Sequence, residues 1–184
     1  MSREAREFYD KEFVPQFNRL LDEIRKTPLS ILVWGPGVSG GDVYEKRLQI
    51  RGHLRELGHA AIFSEELKPK LTHDCHAQLT FSSNVIELCQ AIPAEFIVVI
   101  HSSPGSIAEI HDFGEQVGSK MFIFIDERYQ DGYSYTGLLR ELALRYNNVE
   151  TYQYPADIEN CHLLGAVERK VQELQVAKWR TRRR

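Results

Sequence analysis

Three short runs of apolar residues constrain the fold of this chain more than any other feature of its sequence. They cover residues 30–35, 95–100 and 121–125, and β-branched or aromatic side chains dominate each of them. Runs of this kind are typical of strands that are buried on both faces of a parallel sheet. Two shorter or more polar runs, residues 59–63 and 149–154, predict two further strands nearer the edges of the same sheet.

Segments with the apolar spacing of helices separate these five runs. They cover residues 44–57, 85–91, 107–117, 137–146 and 158–179. Strands that alternate with helices pair in parallel through right-handed crossovers, so the chain is predicted to form an α/β domain. Five strands in this alternation most often adopt the flavodoxin-like three-layer fold, with the order 2-1-3-4-5. Residues 3–26 predict an extra N-terminal helix that starts or kinks at Pro15.

The size and charge of the chain predict one globular domain with no general affinity for polyanions. The 184 residues are 42% hydrophobic and carry a net charge of −3. We therefore expect a single α/β domain over residues 1–184, with a helical extension at 1–28 and a basic tail at 178–184. Nucleic acid binding is not expected, except through that tail.

Cysteine usage and hydropathy predict a cytoplasmic protein. Cys75, Cys89 and Cys161 are odd in number and widely spaced, without a C-x-x-C pair, so neither a disulfide framework nor a zinc site is expected. Residues 1–10 lack the apolar segment of a secretory signal. No apolar run approaches the roughly 20 residues that a membrane helix needs, so no membrane association is expected.

The predicted strand order places a ligand site between two unusual loops. Strands one and three would be neighbours, and ligands in such sheets bind beyond the carboxyl ends of the strands, where the order reverses. The first loop holds four glycines within seven residues, and its candidate binding residues are Gly35, Pro36, Gly37, Ser39, Gly40 and Gly41. Glycines let the backbone approach a ligand, and the helix that follows offers free N–H groups to a phosphate.

A simpler interpretation of the glycine-rich loop remains open. The loop is not a P-loop, because no Gly-Lys-Ser/Thr follows it. It could be a flexible turn that leads into the helix, with Asp42 as the N-cap and Glu45 at the third helical position.

The second loop also supports two interpretations. Ser106 and Glu109 have the spacing of a capping box, which would explain both residues by helix capping alone. Their position after the central strand suggests a further role, since a carboxylate there could attack a sugar or hold its hydroxyl groups. Asp126, at the end of the fourth predicted strand, could line the same pocket.

The second loop carries a resemblance to a known superfamily. Residues 103–109, Ser-Pro-Gly-Ser-Ile-Ala-Glu, resemble the G-[ST]-x-x-E segment of nucleoside 2-deoxyribosyltransferase-like proteins, and residues 35–37, Gly-Pro-Gly, resemble the A-G-P turn of the same proteins. A similar layout occurs in the SLOG (lysine-decarboxylase-like) phosphoribohydrolases, with their P-G-G-x-G-T-x-x-E motif, and in TIR domains that cleave NAD. In these relatives the motif glutamate contacts or attacks the ribose that is bonded to a base.

The resemblance implies a function and a set of site residues. Glu109 would be the catalytic residue, and Gly105 and Ser106 would shape the site around it. Ser103 stands where the transferases have an aspartate, which argues against efficient base exchange. The implied activity is cleavage of the N-glycosidic bond of a nucleoside, a nucleotide or NAD, with NAD as substrate rather than cofactor and no metal.

The same resemblance also implies an alternative and a biological setting. The alternative is a sensor module of the SLOG or TIR-like type that binds a nucleotide without turnover. Relatives of this kind act as effectors in bacterial anti-phage systems such as retrons. They commonly form homo-oligomers, and the apolar Phe8, Phe13 and Phe17 of the N-terminal segment predict self-association here. A purely structural protein, packed through its terminal helices against a partner, is the third possibility.

Four further features of the sequence lead to separate expectations. Trp34 is expected in the core. Arg47 and Arg51 are expected to be solvated charges on a helix face, although they could reach a phosphate from the glycine-rich loop. The His-Asp-Cys-His run at residues 73–76 is expected to be a polar loop rather than a metal site. The irregular stretch at 64–83 has the length of a functional lid or partner surface.

Overall fold

A computed structural model describes residues 6, 8–67, 83–102, 104–129, 137 and 139–183, with the backbone alone for residues 83–84 and 104–109. Five parallel strands form one sheet in the order β2-β1-β3-β4-β5. The strands are β1 Ser30–Trp34, β2 Ala60–Ile62, β3 Phe96–His101, β4 Met121–Asp126 and β5 Val149–Tyr152. The predicted α/β class and the flavodoxin-like order 2-1-3-4-5 are confirmed.

The apolar runs become the centre of the sheet because both of their faces are covered. Every residue of β3 and β4 is buried. β3 pairs with β1 on one side, where Trp34 lies opposite Val99, and with β4 on the other, where His101 lies opposite Ile125. Side chains alternate between the two faces along each strand, so one continuous apolar run supplies two layers of core.

The α-helices include α1 Val14–Arg25, α2 Asp42–Glu56, α3 Ser83–Ala91, α4 Pro104–Val117, α5 Arg140–Tyr146, α6 Ala156–Glu159 and α7 His162–Arg182. One face of the sheet packs on α3, α4 and α5, in a core that includes Ile97, Ile123, Ile110 and Leu142. Helix α2 packs against β1 and β2.

The helix predicted over residues 158–179 is divided, which corrects that expectation. Helix α6 ends at Glu159, and Asn160 adopts an extended backbone. The Asn160 side chain accepts a hydrogen bond from the backbone N–H of His162 at 2.7 Å, which helps to start α7. Helix α7 then runs to Arg182 and so takes in most of the basic tail.

The chain divides into two compact units. The larger unit, residues 29–167, contains the sheet, and the smaller unit combines residues 1–28 with residues 168–184. Within the smaller unit a π-helical turn, Tyr9–Phe13, leads into α1, where Pro15 is the second residue. The Gln175 side chain donates hydrogen bonds to the carbonyls of Arg25 and Thr27 at 2.8 and 3.1 Å. In the described part of the chain no helix is long and apolar enough to cross a bilayer.

Candidate functional site

The two loops singled out in the sequence lie at the same edge of the sheet. β1 and β3 are parallel neighbours, so the loops that follow them leave the sheet side by side. Gly35 has a φ of +152°, and a Cβ atom built on it would lie 3.1 Å from the carbonyl oxygen of Ile100 at the end of β3. The glycine is needed because the first loop passes directly against the end of the central strand.

The glycine-rich loop is a compact turn that ends at a helix. A 3₁₀ turn covers Val38–Gly40, and the Gly40 N–H donates to the Gly37 carbonyl at 2.8 Å. Ser39 lies exposed within this turn. Gly41, with a φ of +54°, is the N-cap of α2, and no side chain caps that helix. The interpretation of Asp42 as the N-cap is therefore wrong: Asp42 is the first helical residue, and its carboxylate accepts a hydrogen bond from the Tyr154 hydroxyl at 3.2 Å.

Two glycines of this loop predict opposite responses to substitution. A Cβ atom on Gly40 would lie 2.5 Å from Cβ of Pro36, whereas one on Gly37 would meet nothing within 4 Å. We expect Gly40→Ala to distort the turn and lower the melting temperature by several degrees. Gly37→Ala should leave it nearly unchanged, which makes Gly37 the position for testing ligand binding. Equal melting temperatures for the two variants, measured by calorimetry, would contradict this packing.

Arg47 holds the base of the glycine-rich loop. Its side chain is only 1% exposed, and Nε and Nη2 donate to the Val33 carbonyl at 3.0 and 2.8 Å. Pairing of β1 with β2 ends at Leu32 and Ile62, so Arg47 supplies the hydrogen bonds that the Val33 carbonyl would otherwise lack. Nη1 also donates to the Pro36 carbonyl at 3.2 Å, within the loop itself.

The expectation that Arg47 is a solvated helix-face charge is therefore wrong. Glu65 accepts two hydrogen bonds from Arg47, at 2.7 and 2.8 Å. Burial alone would raise the pKa of Glu65, but the hydrogen bonds and charge of Arg47 hold it below its usual range. Arg51, on the same helix, is partly exposed and pairs with Glu66 at 2.6 Å. Arg47 thus has a structural role, and its guanidinium donates its hydrogen bonds to oxygen atoms of the protein itself.

His101 ends the central strand and has no polar partner among the described residues. The residue is 1% exposed, and neither Nδ1 nor Nε2 forms a hydrogen bond within that part of the chain. The edge of its ring meets the Tyr129 ring at a centroid distance of 5.4 Å. Its backbone carbonyl accepts a hydrogen bond from the Tyr152 hydroxyl at 3.0 Å. A buried imidazole without partners is unusual and marks this end of β3 as a candidate contact for a ligand.

The surroundings of His101 predict a pH dependence. Burial lowers the pKa of His101 below its usual value of about 6.5, against the opposing effect of the Asp126 carboxylate. The unfolded chain therefore binds this proton before the folded protein does. We expect the free energy of unfolding to fall as the pH drops from about 6.5 toward the folded-state pKa.

Denaturant unfolding of the protein and of His101→Gln between pH 7.5 and 5 would test this expectation. The free energy of unfolding of the variant should depend less steeply on pH, because glutamine does not titrate. Imidazole resonances showing His101 half-protonated at or above pH 6.5 would contradict it.

At the end of β4 the Asp126 carboxylate is not open to solvent, because it forms an ion pair with Arg128. Asp126 is 0% exposed, and Arg128 donates to both of its oxygens through Nε and Nη2. Burial would raise the pKa of Asp126, but the hydrogen bonds and charge of Arg128 lower it below its usual range. The Arg128 guanidinium carbon also lies 4.4 Å from the centroid of the Tyr154 ring. Because Arg128 covers the Asp126 carboxylate in this way, Asp126 could contribute to ligand binding, as predicted, only by positioning Arg128.

Helix α4 places the motif glutamate at this edge. The helix begins at Pro104, so Gly105 and Ser106 lie in its first turn and Glu109 lies in its second. Proline favours the first helical position, where its missing N–H would have no partner. The capping-box interpretation, which requires Ser106 as the N-cap, is therefore wrong. Ser103 and the side chains of residues 104–109 lie outside the described part of the chain.

Other predictions concern the surroundings of the site. The prediction that Trp34 belongs to the core is confirmed, since it is 2% exposed and its ring lies 5.8 Å from that of Phe113. The described residues contain no cluster of three His, Cys, Asp or Glu side chains able to hold a metal ion. The histidine-rich run at 73–76 and most of the irregular stretch at 64–83 lie outside those residues.

Sequence reasoning placed the segments 101–106 and 126–129 near the candidate site, but it did not single out His101 or Arg128 within them, and it did not consider Tyr154 as part of the site. The signal for His101 was a polar residue at the end of a continuous apolar run. The pair Asp126 and Arg128 stands two residues apart at the end of another run, a spacing that allows a local ion pair. No local signal connects Tyr154 with Asp42, since 112 residues separate them.

No known protein family matches this chain, and no curated protein matches it either.

Proposed function

We propose that this protein binds a nucleoside, a nucleotide or NAD at the carboxyl edge of β1 and β3 and cleaves its N-glycosidic bond. The observation that carries the proposal is the close contact of the glycine-rich loop with the end of the central strand, at the point where the strand order reverses. Ligands of open parallel sheets bind at this point. Glu109, the residue of the resemblance, lies in the second turn of α4, the helix that follows β3.

The chemistry assigned to Glu109 follows from its charge. Its carboxylate would attack or stabilise the anomeric carbon while the bond from that carbon to the base nitrogen breaks. The base leaves with the bonding electron pair and takes up a proton from a general acid. Water then adds its hydroxyl group to the anomeric carbon, its remaining proton restores the general acid, and the sugar leaves Glu109 with the carboxylate regenerated. The resemblance of residues 103–109 to nucleoside-cleaving proteins supports this role.

A second candidate function is a sensor that binds the nucleotide without turnover. The arrangement of Asp126 favours it, because this buried carboxylate is held by Arg128 and is not free to act as a base or nucleophile. Cleavage then depends on Glu109 alone among the candidate carboxylates. Binding without release of base is the result that would favour the sensor.

The decisive experiment is a substrate panel. The purified protein would be incubated with the common nucleosides, their 5′-monophosphates and NAD, and released base would be measured by chromatography. Release of a free base supports cleavage, and binding without release, detected by calorimetry, supports the sensor. Neither binding nor release across the panel would overturn both candidates.

We also propose that the protein forms homo-oligomers through its N-terminal helical segment. Helix α1 has no buried residue, and Phe8, Tyr9, Phe13 and Phe17 are each about half exposed. The ring of Phe13 stacks between those of Tyr9 and Phe17, at 5.3 and 6.0 Å. A contiguous apolar stripe of this kind is typical of an interaction surface. A second copy of the chain can cover it with an identical stripe.

Replacing aromatic residues of this stripe with charged residues should therefore change the oligomeric state of the protein. We expect the protein to be larger than a monomer by light scattering at micromolar concentration, and Phe13→Glu with Phe17→Glu to shift it to monomer. Leu144→Glu is the matched control, since Leu144 is an exposed apolar residue of α5, in the larger unit. A wild-type protein that is monomeric at this concentration would contradict the proposal.

The free cysteines support a proposed location in the cytoplasm. Within the described part of the chain, Cys89 and Cys161 are both exposed and form no disulfide. Exposed thiols persist in the reducing cytosol and are uncommon on exported proteins. Subcellular fractionation of the native host would test this location.

A further inference from the structure

Arg128 presents a fixed cation at the carboxyl edge of the sheet. Half of its side chain, 56%, is exposed, although its partner Asp126 is fully buried. The Asp126 carboxylate accepts from Nε and Nη2, and its Oδ1 also accepts from the Arg128 backbone N–H at 3.0 Å. The guanidinium is therefore held at a defined position, whereas most surface arginines are free to move.

One side of the Arg128 guanidinium forms no hydrogen bond with another described residue. Asp126 takes the side formed by Nε and Nη2, and among the described residues Nη1 has no hydrogen-bond partner. The outer side, formed by Nη1 and the second hydrogen of Nη2, is a two-pronged donor. Such a fork matches two oxygens of a phosphate or carboxylate. Because Asp126 is buried behind the guanidinium, an incoming anion meets the donors rather than the carboxylate.

Aromatic contacts connect Arg128 with the glycine-rich loop. The guanidinium lies over the Tyr154 ring at 4.4 Å and near the Tyr129 ring at 5.9 Å. The Tyr154 hydroxyl donates to Asp42, the first residue of α2 after the loop. Tyr154 thus contacts Arg128 through its ring and Asp42 through its hydroxyl group. These contacts hold the Arg128 guanidinium on the side of the sheet edge where the glycine-rich loop lies.

We infer that the outer fork of Arg128 binds a phosphate of the ligand, so that the substrate class is a phosphorylated nucleoside rather than a free nucleoside. This inference rests on the proposed function, which it narrows. Arg47, the other arginine near the loop, cannot take this part because its donors are occupied by Val33, Pro36 and Glu65. Arg128 is the arginine whose donors remain available at this edge among the described residues.

A purely structural role for Arg128 is the competing explanation. A buried carboxylate needs a counter-ion, and Arg128 serves Asp126 in that way. Removing the arginine alone would leave Asp126 uncompensated and could unfold the protein. The test therefore includes the double variant Asp126→Asn with Arg128→Gln, which removes both charges together.

The experiment compares ligands with and without phosphate. Calorimetry would measure binding of the nucleoside that the substrate panel selects, of its 5′-monophosphate and of inorganic phosphate to the full-length protein. We expect Arg128→Gln and the double variant to weaken binding of the monophosphate about ten- to a hundredfold, the loss of a charge-assisted hydrogen-bond pair. Binding of the nucleoside should stay within about twofold. The matched control is Arg145→Gln, because Arg145 is an exposed arginine of α5 whose guanidinium carbon also lies near a tyrosine ring, 5.3 Å from the centroid of Tyr146.

Three results would overturn the inference. They are unchanged binding of the monophosphate by the folded double variant, an equal loss for nucleoside and monophosphate, and inorganic phosphate binding as tightly as the monophosphate. In each case the wild-type protein still binds a nucleoside or nucleotide, so the proposed function stands. Absence of all nucleoside and nucleotide binding by the wild type would instead refute the proposed function, and the inference with it.

Discussion

Replacing Glu109 with glutamine is expected to lower the rate of base release by at least about a hundredfold, the scale at which a catalytic carboxylate acts. Glutamine keeps the size of the side chain but has no negative charge with which to attack or stabilise the anomeric carbon. The fold should tolerate the change. Glu109 lies in the second turn of α4, where glutamate and glutamine have similar helix propensities, so the free energy of unfolding should change by about 1 kcal/mol or less.

The matched control for Glu109 lies on the same helix. Glu115 is exposed on α4, six residues further along the chain, and Glu115→Gln removes the same charge there. Steady-state assays of released base, together with denaturant unfolding, should show normal activity for this control. A Glu109→Gln variant that cleaves as fast as the wild type would refute the assignment of Glu109. If neither protein releases base and only ligand affinity changes, the sensor is favoured.

Replacing Arg47 with methionine is expected to cost about 3 kcal/mol of the free energy of unfolding. Methionine keeps much of the length of the side chain but donates no hydrogen bond. The carbonyls of Val33 and Pro36 would lose their hydrogen bonds from Arg47. The half-exposed Glu65 can be solvated after the change, so the cost comes mainly from the carbonyls. The glycine-rich loop would also lose its anchor, and ligand binding should weaken with it.

Arg51 provides the comparison for Arg47. Both arginines lie on α2, and their guanidinium carbons are each 4.1 Å from the centroid of the Phe63 ring. Arg51 pairs with Glu66, whose side chain is 38% exposed, so Arg51→Met should cost about 1 kcal/mol or less. Denaturant unfolding measures both values. Equal costs for the two variants would show that the bonds from Arg47 to the backbone contribute little.

The strands could be predicted from the sequence because each depends on a local pattern, whereas their order was taken from the arrangement most common in such sheets. Continuous apolar runs such as residues 121–125 are stable only when both faces are covered, and their alternation with helices favours parallel pairing. The neighbouring positions of β1 and β3 follow from the usual order of such sheets. Helix boundaries were less accurate. Capping by Asn160 and the start of α4 at Pro104 depend on single residues whose signals are weaker than apolar spacing.

By itself, the sequence determined the class of the fold, favoured the usual order of its strands, and indicated the edge of the sheet from which the glycine-rich loop and α4 leave. Only the tertiary structure decided how the polar groups at that edge are used. Arg47 bonds to the Val33 carbonyl because that carbonyl lies beyond the end of the pairing with β2, and Tyr154 reaches Asp42 because α6, which begins two residues after Tyr154, contacts α2. The His101 ring has no hydrogen-bond partner among the described residues, because the Asp126 carboxylate bonds to Arg128 and the Tyr152 hydroxyl bonds to the backbone carbonyl of His101. Hydrophobic patterns are local, whereas the partner of a polar side chain is set by segments that only folding brings together.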